Sequence, residues 1–186
     1  MALLRSTCLA LLCGTLGPML WARTAAGAEV AEYQLRAVFL FNFTHFVEWP
    51  AAALSTPNQP FVICILGEDP FGTRLDEAVR GEQINQHPLS VRRLQSAGDA
   101  DGCQILYIAR SEAIHLPDIL AALDHRSLLT VADMDGGAER GVMIELATEH
   151  SRIRLRINVE AARAAGLTIS SNLLRPAEIV GSKIKD

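Results

Sequence analysis

Three arginines spaced two apart, Arg152, Arg154 and Arg156, are the residues of this sequence best suited to chemistry. They alternate with Ile153, Leu155 and Ile157, which puts three guanidinium groups on one face of a strand. Such a row suits an acidic or nucleotide-like ligand, or an acidic partner. The competing use is a solvated sheet face partnered by Glu145 and Glu149. Asp133-Met134-Asp135-Gly136 resembles the opening of a calcium loop, but the later ligands and the closing Glu are absent. Two acids at a strand end then read as a solvated turn. His45, His87, His115, His125 and His150 never fall four apart and adjoin no cysteine, so they form no helical metal pair.

Catalytic motifs do not follow. The chain has no Gly-x-Ser-x-Gly elbow, no phosphate loop ending in Gly-Lys-Ser/Thr and no His-Glu-x-x-His. Gly136-Gly137 with Gly141 lacks the spacing and the following helix that phosphate binding needs, and reads as a turn. Trp49, just before Pro50, serves either as an aromatic anchor for a partner or to close the core at a helix end. These residues assemble no active site, so the expectation is a non-enzyme with no metal and no cofactor.

The elements that must carry these residues alternate. Glu29 to Val47 reads as an amphipathic helix stopped by Pro50, with Val30, Tyr33, Ala37, Leu40 and Phe41 at spacings of three and four. Its second half is apolar on nearly every side, so it is either sandwiched inside the fold or covered by another subunit. Phe61–Leu66, Leu89–Leu94, Gln104–Ala109 and Leu128–Ala132 read as strands, with helices over Thr73–Arg80 and Pro117–His125 between them. The period then changes. Val142–Leu146 and Ile153–Ile157 flank Ala147–Ser151 as a hairpin, a helix over Glu160–Ala165 ends at Gly166, and Leu167–Val180 is an apolar tail that docks back. The fold class is α/β: a single domain with a mostly parallel central sheet, helices on both faces and a C-terminal β-hairpin.

The chain opens with Arg5, an apolar run from Thr7 to Trp21 and a small-x-small site at Ala26-Gly27-Ala28. That order predicts a signal peptide over residues 1–28, removed on export, with residues 29–186 as the working domain. A retained signal anchor is the alternative; the run is shorter than a spanning helix needs and is broken by Gly14, Gly17 and Pro18. Cleavage removes Arg5 and Arg23 and moves the net charge from −4 to −6, with 15 basic against 21 acidic side chains. Such a domain has no overall field for nucleic acid or anionic lipid. Cys8 and Cys13 leave with the leader, so Cys64 and Cys103 have one possible pairing in an oxidising compartment. A structural bridge is the expectation, against two buried thiols or a redox-active pair. It would contribute roughly 3–4 kcal/mol in the chain-entropy model.

Two segments carry more than pattern. Phe39-Leu-Phe-Asn-Phe-Thr-His-Phe-Val-Glu-Trp-Pro50 and Arg156-Ile-Asn-Val-Glu-Ala-Ala-Arg-Ala-Ala-Gly-Leu-Thr-Ile-Ser-Ser-Asn-Leu-Leu174 resemble the two hallmarks of the YfiR family of periplasmic regulators. The resemblance implies a periplasmic, homodimeric α/β protein without enzymatic activity. The role it implies is to bind the periplasmic domain of an inner-membrane diguanylate cyclase and hold it inactive. Cyclic di-GMP output and biofilm formation then depend on release, which can involve an outer-membrane lipoprotein and a redox change. A cysteine bridge of the family matches Cys64 with Cys103, and the second pair that some members carry has no counterpart here. Leu167, Ile169, Leu173, Leu174 and Ile179 are the candidate apolar surface for the partner, with capping of the sheet as their alternative use. The rival to a regulator is a small-ligand sensor acting with a histidine kinase or an outer-membrane receptor. Its ligand would sit at the C-terminal ends of the parallel strands, where the arginine row would suit an acid.

Overall fold

The computed structural model describes residues 19–56, 58–124 and 126–181. The leader expected over residues 1–28 therefore lies outside them up to residue 18. Residues Tyr33 onward form one compact unit, distinct from a unit that ends at Glu32. Among the described residues no helix is long and apolar enough to cross a membrane.

The elements in chain order are α1 (Met19–Phe46), β1 (Val47–Glu48), β2 (Phe61–Leu66), α2 (Arg74–Val79), β3 (Gln83–Ile84), β4 (His87–Leu94), β5 (Ile105–Ile108), α3 (Leu116–Ala122), β6 (Leu129–Ala132), β7 (Ile144–Glu149), β8 (Arg152–Asn158), α4 (Val159–Ala164), β9 (Thr168–Ile169), α5 (Ser171–Leu174) and β10 (Glu178–Val180). The main sheet runs β3-β4-β2-β5-β6-β7-β8-β10. β4, β2, β5, β6 and β7 are mutually parallel, β8 returns antiparallel to β7, and β10 lies parallel to β8. Taken alone, the five parallel strands have the doubly wound order 2-1-3-4-5, with a switch point between β2 and β5.

Burial on both faces explains why these strands read as continuous apolar runs. Ile63, Ile65, Ile105, Tyr107 and Val131 point to one side and pack with Leu40 and Phe43 of α1, Leu75 and Val79 of α2 and Ala162 of α4. Cys64, Leu66, Leu106, Ile108 and Ala132 point to the other and meet Leu116 and Ile119 of α3 and Leu123 at its C-terminal end. The period of two thus divides each strand between two cores. Cys64 of β2 and Cys103, just ahead of the adjacent β5, form a disulfide with their Cα atoms 5.9 Å apart.

Helix ends follow local chemistry. Asn158 caps α4: its side chain accepts from the Ala161 amide at 2.9 Å while its Nδ2 donates to Ala138 O at 3.0 Å. Gly166, at φ +75°, ends the segment after α4 in the left-handed region where glycine costs least. The hairpin differs from expectation. β7 and β8 are longer and are joined by only His150 and Ser151, at φ +48° and +60°. Those angles belong to a type I′ turn, usually marked by Asn-Gly, and without that mark the sequence reads as a longer loop. β3 also escapes a sequence reading, because two residues paired to Pro88 and His87 carry no periodicity.

Candidate functional site

The arginine row lies on β8, with Arg152 opposite Glu149, Arg154 opposite Ala147 and Arg156 opposite Glu145. Arg152 and Arg154 are exposed. Arg156 is a hub: it donates to Glu149 at 2.8 Å, to Glu178 at 3.1 Å and to Glu145 at 3.4 Å. One guanidinium therefore ties β7, β8 and β10 together. Burial works against its charge, but the Glu178 hydrogen bond and the fields of Glu145 and Glu149 outweigh it and raise the pKa. Glu145 is fully buried, and its second oxygen accepts from the Ala138 amide at 3.0 Å.

The tail docks in two steps. β9 pairs antiparallel with β1, Val47 facing Ile169 and Glu48 facing Thr168, which joins the two sequence hallmarks in space. α5 then leads to β10 at the sheet edge, capped by Ser170, whose hydroxyl accepts from the Asn172 amide at 3.3 Å. Of the candidate contact residues, Leu167, Ile169 and Leu173 belong to the core, Leu174 packs half-buried against it, and Ile179 is 54 % exposed. Trp49 closes the core at the corner between α1 and β2. Its Nε1 donates to Gln104 O at 3.0 Å and its ring meets Phe61 edge-on at 4.9 Å.

Asp133 requires a correction. The sequence reads it as part of a solvated turn, yet it is 1 % exposed at the end of β6. Its carboxylate pairs with Arg36 of α1, itself 1 % exposed, through an Nη1–Oδ2 contact. Tyr33 donates to the same oxygen at 2.9 Å, Arg36 Nη2 donates to Thr148 Oγ1 of β7 at 2.8 Å, and Arg110 donates to the Asp133 carbonyl at 2.7 Å. Burial and then the Asp133 charge push the Tyr33 phenol up to about 12. The buried Tyr107 beside it is raised by the same two causes in the same order.

These are the only tyrosines in the chain, so phenolate absorbance should be nearly absent at pH 10, where a free tyrosine is half ionised. With both folded values raised, the tyrosines' contribution to stability is intact below pH 10. For Tyr33 it is lost as pH rises through about 12. A titration showing one phenol ionising near 10 in the folded state would contradict this geometry.

Ligands of open α/β sheets bind at the C-terminal strand ends. Here the chain fills that space. A Cβ at Gly67 (φ +91°) would stand 2.5 Å from Ser111 Oγ, and the Glu68 amide donates to the same hydroxyl at 2.9 Å. The switch point is thus closed by backbone and Ser111. At the opposite ends of the strands a groove of about 430 Å³ is lined by Val47, Trp49, Leu54, Phe61, Ile84 and His87.

The YfiR/HmsC-like family model matches this chain over residues 33–178. No curated protein matches it. The match begins at the tyrosine that binds Asp133 and ends at the glutamate that binds Arg156.

Proposed function

The chain belongs to the YfiR/HmsC-like family, and on that premise we propose that it is a periplasmic regulator that binds the periplasmic domain of an inner-membrane diguanylate cyclase. Bound, it holds the cyclase inactive, so cyclic di-GMP and biofilm formation rise when it lets go. Release involves an outer-membrane lipoprotein as competing partner. The observation that carries this reading is the family match across the whole body from Tyr33 to Glu178, in a family that is regulatory rather than catalytic.

A repressor acts only through a difference in affinity for two states of its target. The tail supplies a surface for such a contact: Ile179 stands exposed on the three-residue edge strand β10, with Leu174 half-buried beside the core. Leu167, Ile169 and Leu173 serve the same contact indirectly, by seating the tail. The small-ligand reading is less favoured, because Ser111 and the Arg36–Asp133 pair occupy the strand ends where that ligand would bind.

The test is retention of the cyclase's periplasmic domain on the immobilised exported protein. Ile179→Asp, with the thermal midpoint held, and Leu174→Asp, which also loses core packing and lowers the midpoint, should each weaken retention about 10-fold or more and raise cellular cyclic di-GMP. Retention unchanged in both variants would remove the tail from the interface. Retention absent in the wild type would remove the cyclase.

A further inference from the structure

Three carboxylates on the arginine face of the β7–β8 hairpin, Glu145, Glu149 and Glu178, all converge on Arg156. Among the described residues no ion pair reaches Arg152 or Arg154. Glu149 lies opposite Arg152 in register, yet it accepts from Arg156 at 2.8 Å. Arg154 faces Ala147, which has no charge to offer. After residue 28 the chain holds 21 acidic against 15 basic side chains, so two exposed arginines with no acid bonded to them run against its composition. The strand edge beside them is open as well. The Asn158 amide donates to Met143 O at 2.9 Å across the register of β7 and β8. Antiparallel pairing alternates, so the peptide groups of Arg152, Arg154 and Arg156 face β7 while those of Ile153 face outward. β10 pairs only with Arg156, Ile157 and Asn158. The Ile153 N–H and C=O are therefore left without a strand partner among the described residues.

We propose that this edge of β8 receives an extended acidic segment of a partner protein, added as an antiparallel strand beside Arg152–Arg154 with the pattern acid, apolar, acid. Antiparallel addition lets one partner residue exchange both hydrogen bonds with Ile153. Three observations select the occupant. First, β10 already shows the charge pairing within the chain: Glu178 stands in register with Arg156 and accepts from its Nε at 3.1 Å. Toward the hairpin tip the row goes on with two more arginines and no second acid. Second, Arg152 and Arg154 share one face, so acids two apart in an added strand fall opposite them. The residue between those acids falls on the other face beside Ile153, which is half-buried against the core, and is therefore apolar. Third, an apolar strand laid there would cover two guanidiniums without a counter-charge, and a basic one would be repelled. The partner is set by the chemistry of this edge, whether or not it is the cyclase.

The site is short, and that sets its strength. One residue of free edge and two exposed ion pairs, each weak in water, give a dissociation constant on the order of 100 µM at low salt. Such a contact counts when the partner is already held nearby, at an effective concentration on the order of millimolar. Because both arginines are exposed, added salt should weaken it.

Fluorescence anisotropy of a labelled Thr-Glu-Val-Glu-Thr peptide, blocked at its C-terminus and titrated with the exported protein, is the test. Binding should weaken about 10-fold as ionic strength rises from roughly 0.02 to 0.3 M, and the Ile153 amide should gain protection from hydrogen exchange when the peptide is bound. Methylating the valine amide of the peptide, which removes a bond to Ile153, should also lower affinity. Arg152→Glu with Arg154→Glu should weaken binding about 10-fold or more with the thermal midpoint held, and should take up Thr-Lys-Val-Lys-Thr instead. Four results would each overturn the proposal: no binding by the wild type, equal binding of the methylated peptide, equal binding of the rearranged Glu-Glu-Val-Thr-Thr, or a charge-reversed protein that still prefers the acidic peptide. The methylated and rearranged peptides are read on the wild type, so they decide the matter if the charge-reversed variant misfolds. Loss of cyclase retention with peptide binding intact would count against the preceding reading only.

Discussion

Asp133→Ala should be among the most destabilising single substitutions in this fold, costing about 3–5 kcal/mol. The reason is what it leaves behind. Arg36 is 1 % exposed, and its guanidinium would remain buried in the core beneath α1 without the carboxylate that balances it. For a domain of this size such a loss lowers the thermal midpoint by roughly 10 °C or more. The same substitution also removes the acceptor for Tyr33. Arg36→Met with Asp133→Leu separates the two effects. Replacing a buried pair by apolar groups of similar volume is often neutral or stabilising, so the double variant should recover most of the loss. A denaturant-unfolding cycle over the four proteins checks this; additive losses would mean that the pair does not act as a unit.

The disulfide should be nearly as costly to remove. Cys64→Ala with Cys103→Ala opens a bridge between residues 39 apart, worth about 3–4 kcal/mol in the chain-entropy model. The loss should fall mainly on the denatured state, so the native fold should persist with a lower midpoint. Access to the bridge is one-sided. Cys64 is fully buried and Cys103 is 6 % exposed, with Arg92 Nη2 3.1 Å from Cys103 Sγ. A reductant must therefore attack Cys103 and expel a Cys64 thiolate into an apolar core, an unfavourable leaving step. Thiol release by a mild reductant should track unfolding; rapid release from the folded protein would contradict that picture.

What could be read from the sequence divides along a physical line. β2, β5, β6 and α3 were legible because a continuous apolar run, or Pro117 in a first turn, expresses a local preference. The hairpin was legible as a pair of strands, since Arg152, Arg154 and Arg156 alternate with Ile153, Leu155 and Ile157. Its length was not, because His150 and Ser151 take left-handed angles without glycine or asparagine. The Arg36–Asp133 pair was invisible for a different reason. Its members lie 97 residues apart, and nothing in either neighbourhood shows that a helix will pass over the end of β6. The visible signal would have been the helix itself: a single arginine on the side occupied by Leu40 and Phe43 has to meet an acid. The seating of Leu167, Ile169 and Leu173 likewise depends on β9 reaching β1, a contact that tertiary structure alone decides.

The closed strand ends bear on how the first helix is held. In a doubly wound sheet the end of β6 is a place for a guest, and here Arg36 arrives there as a substrate's cation would, met by a carboxylate and a hydroxyl from Thr148. The chain is its own ligand at that position. Docking of α1 then follows the rules of tethered occupancy: its effective concentration is set by the short connection through Trp49 and Pro50 rather than by any pool outside. Weakening the arginine would not empty the site at once. It would turn a permanent occupant into one that comes and goes, and would open the cleft for the intervals of its absence.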